Sequence, residues 1–178
     1  PARTGPRRAA GSGTSGPARA PPPARHPERH AILAKSRDPA TLATEVRDMR
    51  AKMLANLSTY KQAADLDEAL LSADHEFDLK QDPGGIVDIE FMAQFLALRW
   101  SGERPSMAKW TDNMRIFDEA RDAGLLTAED ASDLQNAYLL LRSESHRRAL
   151  QNASGKVSAD QFAAERRRVR EIWRKVLM

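Results

Sequence analysis

Apolar positions recur with the spacing of a helix from residue 38 onwards. Asp38-Pro39 is typical of a helix start, because Asp accepts from the first free amides and Pro fits the first turn. The next apolar positions are separated by four, three, four and four residues: Leu42, Val46, Met49, Met53 and Leu57. This spacing predicts one helix whose apolar stripe packs on a core, with charged residues such as Arg50 facing solvent. Residues 58–75, which follow, are polar and poorly patterned and predict a loop, with one turn of helix around Leu66 to Leu71 as the alternative.

The pattern changes at residues 76–100, where it predicts a strand, a tight turn and a buried helix. Residues 76–80 alternate polar and apolar side chains, as a short strand does. Pro83-Gly84-Gly85 marks a sharp turn. Residues 86–100 are apolar nearly all round, which predicts a helix that is buried on most sides and ends at Ser101-Gly102.

Three more helices are predicted in the last third of the chain. Thr111 or Asp112 caps the first of them, and Gly124 stops it. Thr127 opens a longer helix through a variant capping box with Asp in place of Glu, and residues 158–161 form a cleaner box that opens the last helix. With the buried helix these elements form a bundle. The predicted fold is therefore mainly α: a helical bundle that follows a short strand–Gly-Gly–helix unit.

The first 30 residues differ from the rest in composition. They hold seven Pro, four Gly, six Arg and one acid, and they contain no Val, Ile, Leu, Met, Phe, Trp or Tyr. Such a segment cannot bury enough apolar surface to offset the entropy lost on ordering, so residues 1–30 are predicted to be a disordered tail. Three interpretations remain: a flexible leader, a basic arm that binds nucleic acid, or a GC-rich coding region read out of frame or from a misplaced start.

Charge and composition exclude several classes of protein. The net charge of +3 comes from the tail, because the other 148 residues hold 22 basic and 24 acidic side chains. A nucleic-acid interface needs basic residues on one face of a fold and is not expected here. The absence of cysteine excludes disulfides and thiolate metal sites. No apolar run reaches the roughly 18–20 residues that cross a bilayer, so we expect a cytoplasmic protein with no membrane partner.

The strand–turn–helix unit carries the candidate chemistry. Gly84 and Gly85 permit positive φ and close approach, and the helix after them presents free N–H groups. With Lys80 at the strand end, they are candidate groups for binding the phosphates of a nucleotide. Asp88 and Glu90 are about 200° apart around a helix, so a regular helix cannot direct both at one atom. Either is a candidate catalytic carboxylate or metal ligand while the other supports the loop. The alternative is purely structural, since acids favour helix starts and glycines favour turns.

Two other groups of polar residues are interpreted as structural. His75 and His146 lie far apart among polar neighbours and are not expected to bind a metal. The four arginines at positions 166, 167, 168 and 170 are spread around a helix with Glu165 and Glu171 beside them. They are interpreted as a solvated helix face or a partner surface.

The residues around the glycine turn are similar to those of a known family. Residues 77–80 read Phe-Asp-Leu-Lys, and residues 84–91 read Gly-Gly-Ile-Val-Asp-Ile-Glu-Phe, before a helix rich in Gln, Phe and Leu. Trp110-Thr111-Asp112-Asn113 and the later segment Tyr138-Leu139-Leu140-Leu141-Arg142 extend the similarity. The whole pattern resembles bacterial glutamine synthetase adenylyltransferases, over roughly residues 30–178.

The resemblance implies a nucleotidyltransferase. That family transfers AMP from ATP to a tyrosine hydroxyl of glutamine synthetase and removes it by phosphorolysis. ATP and Mg²⁺ are the implied cofactors, and glutamine synthetase and the PII signal protein are the implied partners. The resemblance also implies that residues 31–91 end a nucleotidyltransferase-like domain and that residues 92–178 form a C-terminal helical domain.

One element of the family is missing from this sequence. The Gly-Ser-x-x-Asp-x-Asp strand, whose paired acids hold the metal ions, has no counterpart before Phe77. We therefore expect a carboxy-terminal piece of such an enzyme, inactive by itself and without tight binding of ATP or Mg²⁺. The alternative is a helical interaction module that binds glutamine synthetase or the PII protein.

Overall fold

A computed structural model describes residues 27–57 and 76–178, which form six helices and two short strands. In chain order the elements are α1 (Pro27–Leu33), α2 (Pro39–Ala55), β1 (Phe77–Asp78), α3 (Ile86–Trp100), a 3-10 turn (Pro105–Ala108), α4 (Asn113–Asp122), α5 (Ala128–Leu150), β2 (Lys156–Val157) and α6 (Ala163–Leu177). The prediction of a mainly α fold is confirmed. The predicted tail would end at residue 30, but α1 already begins at Pro27. Residues 1–26 and the loop predicted at 58–75 lie outside the described residues.

Helix α3 is the centre of the bundle. It contacts α2, α4, α5, α6 and the 3-10 turn. Its apolar side chains belong to one hydrophobic core that also takes residues from β1, β2 and the surrounding helices. Fully buried members of that core include Phe77, Ile89, Met92, Phe117, Leu134 and Ile172. The domain boundary predicted between residues 91 and 92 falls inside α3, and it stays a prediction.

Three of the predicted helix starts are present with the caps expected for them. The side chain of Asp38 accepts from Thr41 N at 2.8 Å, that of Asp112 from Arg115 N at 3.0 Å, and that of Thr127 from Asp130 N at 3.0 Å. Each bond satisfies an amide that has no partner within its helix. Gly124 takes a φ of 72° just after α4, as its predicted role as a stop requires.

The start predicted for the last helix is wrong by four residues. Ser158 O accepts from Gln161 N at 3.1 Å, so the predicted capping box is an isolated turn. Phe162 follows with a φ of 60°, a left-handed conformation that interrupts the helix, and α6 begins at Ala163. Phe162 is packed partly buried against the core, which accounts for this costly backbone conformation.

The buried face predicted for α2 is also wrong in part. Met49, placed on the apolar stripe, is 55% exposed. The buried residues of the helix are Leu42, Val46, Arg50 and Leu54, spaced by four throughout. Arg50, predicted to face solvent, is only 3% exposed. A buried guanidinium needs partners, and those partners lie in the candidate site described below.

The strand predicted at residues 76–80 is shorter than expected and has a partner that was not predicted. Phe77 and Asp78 pair antiparallel with Val157 and Lys156. One further hydrogen bond, from Leu79 N to Gly155 O at 3.0 Å, continues the contact. A two-residue strand has too short an alternating pattern to be recognised, so β2 carried no signal of its own.

The arginine-rich face of α6 is not simply solvated, contrary to the prediction. Arg168 pairs with Asp130 at 2.7 Å and with Asp133 at 2.6 Å, both on α5. Lys175 also reaches Asp130, at 3.0 Å. Arg166 is 5% exposed, and its guanidinium lies 3.8 Å from the centre of the Phe77 ring. These contacts attach α6 to α5 and to β1.

Among the described residues, no helix is long and apolar enough to cross a membrane.

We predict that the attachment of α6 through Asp130 weakens in acid. Burial by itself raises the pKa of Asp130, but the hydrogen bonds with Lys175 and Thr127 and the charges of Lys175 and Arg168 outweigh it, so the pKa lies below its usual value. The stabilisation is present above the unfolded pKa of about 3.9 and is lost as pH falls through the lower folded pKa. Urea unfolding from about pH 7 to about pH 3 should show the Asp130→Asn variant losing less stability on acidification than the wild type.

The Glu45→Gln variant is the control, because Glu45 is exposed on α2, whereas Glu129 itself lies 4.0 Å from Arg168. It should follow the wild-type pH dependence. A wild type and an Asp130→Asn variant that lose stability in parallel on acidification would contradict the prediction.

Candidate functional site

Backbone hydrogen bonds define the corner between β1 and α3. The N–H groups at the start of α3 donate to carbonyls of the preceding turn. The pairs are Gly85 to Asp82, Ile86 to Leu79 and Val87 to Lys80, with N···O distances of 2.8, 3.0 and 3.1 Å. A helix start binds an anion through N–H groups that have no other partner. Here the turn itself occupies them, so these amides stabilise the corner.

The two glycines are required by close contacts as well as by conformation. Gly84 has a φ of 86°, and a Cβ at this position would lie 2.6 Å from the carbonyl oxygen of Arg166 in α6. A Cβ at Gly85 would lie 2.8 Å from the carbonyl oxygen of Asp82 and 2.9 Å from that of Leu79. Real side chains do not tolerate such distances. The glycine pair therefore lets the turn fold on itself and lets α6 pack directly against it.

Asp88 is buried and holds the corner together. One carboxylate oxygen lies 2.5 Å from Nε of Arg50, and the other accepts from Gly84 N at 2.7 Å. Arg50 also donates from Nη2 to the carbonyl of Gln81 at 2.7 Å. Burial is the largest influence and holds the pKa of Asp88 above its usual value, although the charge of Arg50, the Gly84 amide and the charge of Arg170 favour the ionised form. Both oxygens of Asp88 are bonded within the protein, which is the arrangement of a structural carboxylate.

Glu90 has different surroundings. It is half-buried, and its Oε1 accepts from the Tyr138 hydroxyl of α5 at 3.2 Å. Arg142 donates to the same hydroxyl at 2.9 Å. Tyr138, together with the charge of Glu90, raises the pKa of Arg142. Asp88 and Glu90 are thus held by different elements and do not converge on one point.

Lys80 lies at the exposed end of the β1 turn. Its backbone N–H donates to Asp78 Oδ1 at 2.9 Å, and its side chain is exposed. The structure therefore brings Lys80, Gly84, Gly85 and Asp88 into one corner, while Glu90 is turned towards α5. Among the charged residues of the predicted set, Lys80 is exposed and Glu90 is half-buried, whereas Asp88 is buried.

The residues described by the structure do not fit a Mg²⁺ ion by themselves. Within residues 27–57 and 76–178, no three His, Cys, Asp or Glu side chains are grouped closely enough to hold a metal ion. Mg²⁺ requires oxygen ligands in near-octahedral geometry, and the two oxygens of Asp88 already have partners. His146 is exposed on α5, and His75 lies outside the described residues.

The sequence interpretation missed Arg50, Arg166 and Tyr138. Arg50 fills the position on α2 between Val46 and Leu54, and a strict spacing of four was the available signal. Arg166 meets the glycine turn through its backbone, which no side-chain pattern reveals. Tyr138 lies 48 residues after Glu90, so their hydrogen bond depends on the packing of α5 against α3.

Comparison with known proteins places this corner in a family context. Residues 47–175 match the family model described as GlnD PII-uridylyltransferase. Three relatives share the name bifunctional glutamine synthetase adenylyltransferase/adenylyl-removing enzyme. They are from Pseudomonas putida (50% identical over 145 residues), Pseudomonas syringae pv. tomato (51% over 142) and Hahella chejuensis (47% over 148). The matches cover 80–83% of this chain but only 14–15% of each relative. The resemblance inferred from the glycine corner is confirmed.

We predict that Gly84→Ala destabilises the protein far more than Gly124→Ala. Both glycines have positive φ, but a Cβ at Gly124 would meet nothing within 4 Å. Gly124→Ala should therefore lose only the conformational term, about 1–2 kcal/mol. Gly84→Ala adds the collision with Arg166, and thermal or urea unfolding should show the larger loss. Equal losses at the two positions would show that α6 does not press on the turn.

We also predict that Arg50 stabilises the fold through Asp88. Arg50→Met leaves a buried carboxylate without its partner, at an expected loss of about 3–5 kcal/mol in the free energy of unfolding. Lys52→Met, at an exposed position of the same helix, should change stability by less than about 0.5 kcal/mol. In a double-mutant cycle, Arg50→Met and Asp88→Asn together should cost less than the sum of the two. Additive losses would argue against direct coupling.

Proposed function

Because the chain belongs to the family described as GlnD PII-uridylyltransferase, we propose that it is part of an enzyme that adenylylates glutamine synthetase and removes the adenylyl group. The observation that supports this most is the identity of about half of all residues, across four fifths of the chain, with relatives bearing that name. The chain spans about 15% of their length, so the proposal concerns a larger protein.

The choice of adenylyl over uridylyl transfer rests on the relatives. The matching family model is described by uridylylation of PII, whereas the relatives reported above are named for glutamine synthetase. Identity of about 50% favours the activity of these relatives over the general description of the family. We keep the PII protein as a proposed regulatory partner, on the basis of the resemblance in residues 77–100.

Within such an enzyme, we assign different roles to the two acids of α3. Asp88 shapes the corner, because both of its oxygens are engaged by Arg50 and Gly84. Glu90 is the supporting carboxylate, and Lys80 is the cation available to a nucleotide phosphate. Nucleotidyl transfer depends on charge stabilisation at the attacked phosphorus and the leaving pyrophosphate. The described residues do not form a Mg²⁺ site, and we place the metal ligands for that chemistry outside them.

A second candidate function is protein contact by the helical part. It is favoured by the C-terminal half of α5, where Leu139 and Leu150 are 52% and 74% exposed. Glutamine synthetase is the proposed partner, because the relatives are named for their action on it. The two functions are compatible, since an enzyme that modifies a protein must also bind it.

The proposal is tested by placing residues 31–178 in the Pseudomonas putida enzyme, in place of the matching segment. Transfer of labelled AMP from ATP to glutamine synthetase should persist in this chimera. Glu90→Gln in the chimera should lower the rate by about 10–100-fold, as expected for a residue that supports a reaction centre. Glu129→Gln, at an exposed position of α5, is the control and should leave the rate unchanged.

Two results would contradict the proposal. A folded chimera without transfer activity would show that this chain does not serve the same function as the segment it replaces. A rate unaffected by Glu90→Gln would show that Glu90 does not support the reaction centre. In a separate assay, we expect no transfer by the 178-residue chain alone, and measurable transfer would refute the incomplete centre.

A further inference from the structure

Helix α5 extends beyond the core that its first half helps to form. Its buried residues are Asp130, Ala131, Leu134, Ala137, Tyr138 and Leu141. None of residues 142–150 is buried, although the helix continues to Leu150. Glu144, Ser145 and Arg148 are half-buried, so the last turns of the helix, about 13 Å at 1.5 Å per residue, are covered on one side only.

The other side of these last turns is exposed. Leu139, Arg142, His146 and Leu150 are spaced by three, four and four residues, so they lie along one side of α5, and all four are exposed. We call them the α5 face. Scattered exposed leucines are ordinary on protein surfaces. Two of them on one helical stripe, with an arginine between them, match the composition of protein interfaces, in which arginine is enriched.

Arg142 is held in position rather than free in solvent. It donates to the Tyr138 hydroxyl at 2.9 Å, and its guanidinium lies 5.4 Å from the centre of the Tyr138 ring. Tyr138 is itself fixed by its hydrogen bond to Glu90. An interface side chain that is already ordered loses less entropy on binding. The α5 face therefore presents a preorganised cation between two apolar side chains.

The charge of this segment indicates what kind of partner it fits. Residues 139–150 hold three arginines and one glutamate, a net charge of +2, whereas residues 31–178 as a whole are near −2. Arg147 and Arg148 bond to Glu144 and also favour the negative end of the helix dipole. Arg142 lies two turns before the helix end, so the dipole does not account for it. The local excess of positive charge favours an acidic surface.

We propose that the α5 face is a docking surface for another protein, whose matching patch carries a carboxylate between two apolar groups. The inference rests on the proposed contact with glutamine synthetase and names the surface of this chain that makes it. A second copy of the chain is the competing partner, because exposed Glu45 and Asp48 lie beside the exposed Met49 on α2. The test distinguishes it from glutamine synthetase.

The test measures binding of the 178-residue chain to purified glutamine synthetase by biolayer interferometry. Leu139→Glu, Leu150→Glu and Arg142→Glu should each weaken binding by at least about tenfold, the size expected for central interface residues. Raising the salt to about 0.5 M should also weaken it, since charge attraction is screened. Met49→Glu is the matched control, because Met49 is 55% exposed on α2 and lies outside the α5 face. It should bind within about twofold of the wild type.

The possible outcomes distinguish an error in the assigned surface from an error in the proposed partner. Binding by the wild type that none of the three α5 variants weakens would overturn the α5 face and leave the proposed contact intact. No binding by the folded wild type would overturn the contact with glutamine synthetase, and the docking proposal with it. Light scattering that shows self-association, abolished by Leu139→Glu, would assign the face to a second copy and also overturn the proposal. Leu139 and Leu150 project from the core, so circular dichroism should show their variants folded.

Discussion

The bridge that Asp88 makes between Arg50 and Gly84 is the constraint on which the rest of the corner depends. It joins three parts of the chain: α2, the glycine turn and the first turn of α3. Helix α2 is distant in sequence from the other two. A buried carboxylate is unfavourable unless hydrogen bonds and an opposite charge compensate it. The compensation here requires α2 to lie across the start of α3. The position of α2 is therefore set by a polar contact as much as by its three buried aliphatic residues.

The glycine turn fixes the position of α6 against the corner, as Asp88 fixes that of α2. Because Gly84 has no side chain, the backbone of α6 at Arg166 approaches it more closely than any Cβ would allow. The guanidinium of Arg166 then covers the Phe77 ring of β1. Helix α6 is also held against α5 by the ion pairs of Arg168 and Lys175 with Asp130. The corner is thus enclosed by α2 on one side and by the last helix on the other.

The sequence predicted those features that depend on local chemistry. Helix α3, the caps at Asp38, Asp112 and Thr127, and the stop at Gly124 all follow from side chains that bond within a few residues of themselves. The features that were missed are determined by distant contacts. Arg50 is buried because it pairs with Asp88, which lies 38 residues later in the chain. Phe162 has a left-handed backbone because its side chain packs against the core. The pattern at residues 77–91 was enough to select the candidate residues. It could not show that Asp88 is buried while Glu90 is half-buried, because that difference depends on how α2 and α5 pack against α3.

The different surroundings of Asp88 and Glu90 explain why a helix start would carry two acids so close together. Asp88 is buried with one oxygen bonded by Arg50 and the other by Gly84, so it is not open to a ligand. Two residues of separation turn the second acid about 200° around the helix, towards α5 and away from Arg50. Tyr138 then fixes Glu90 through one oxygen without enclosing it. The same tyrosine orients Arg142, so the packing of α5 on α3 fixes the half-buried carboxylate and the α5 face together. A contact made at Arg142 is consequently linked to Glu90 through one shared hydroxyl group.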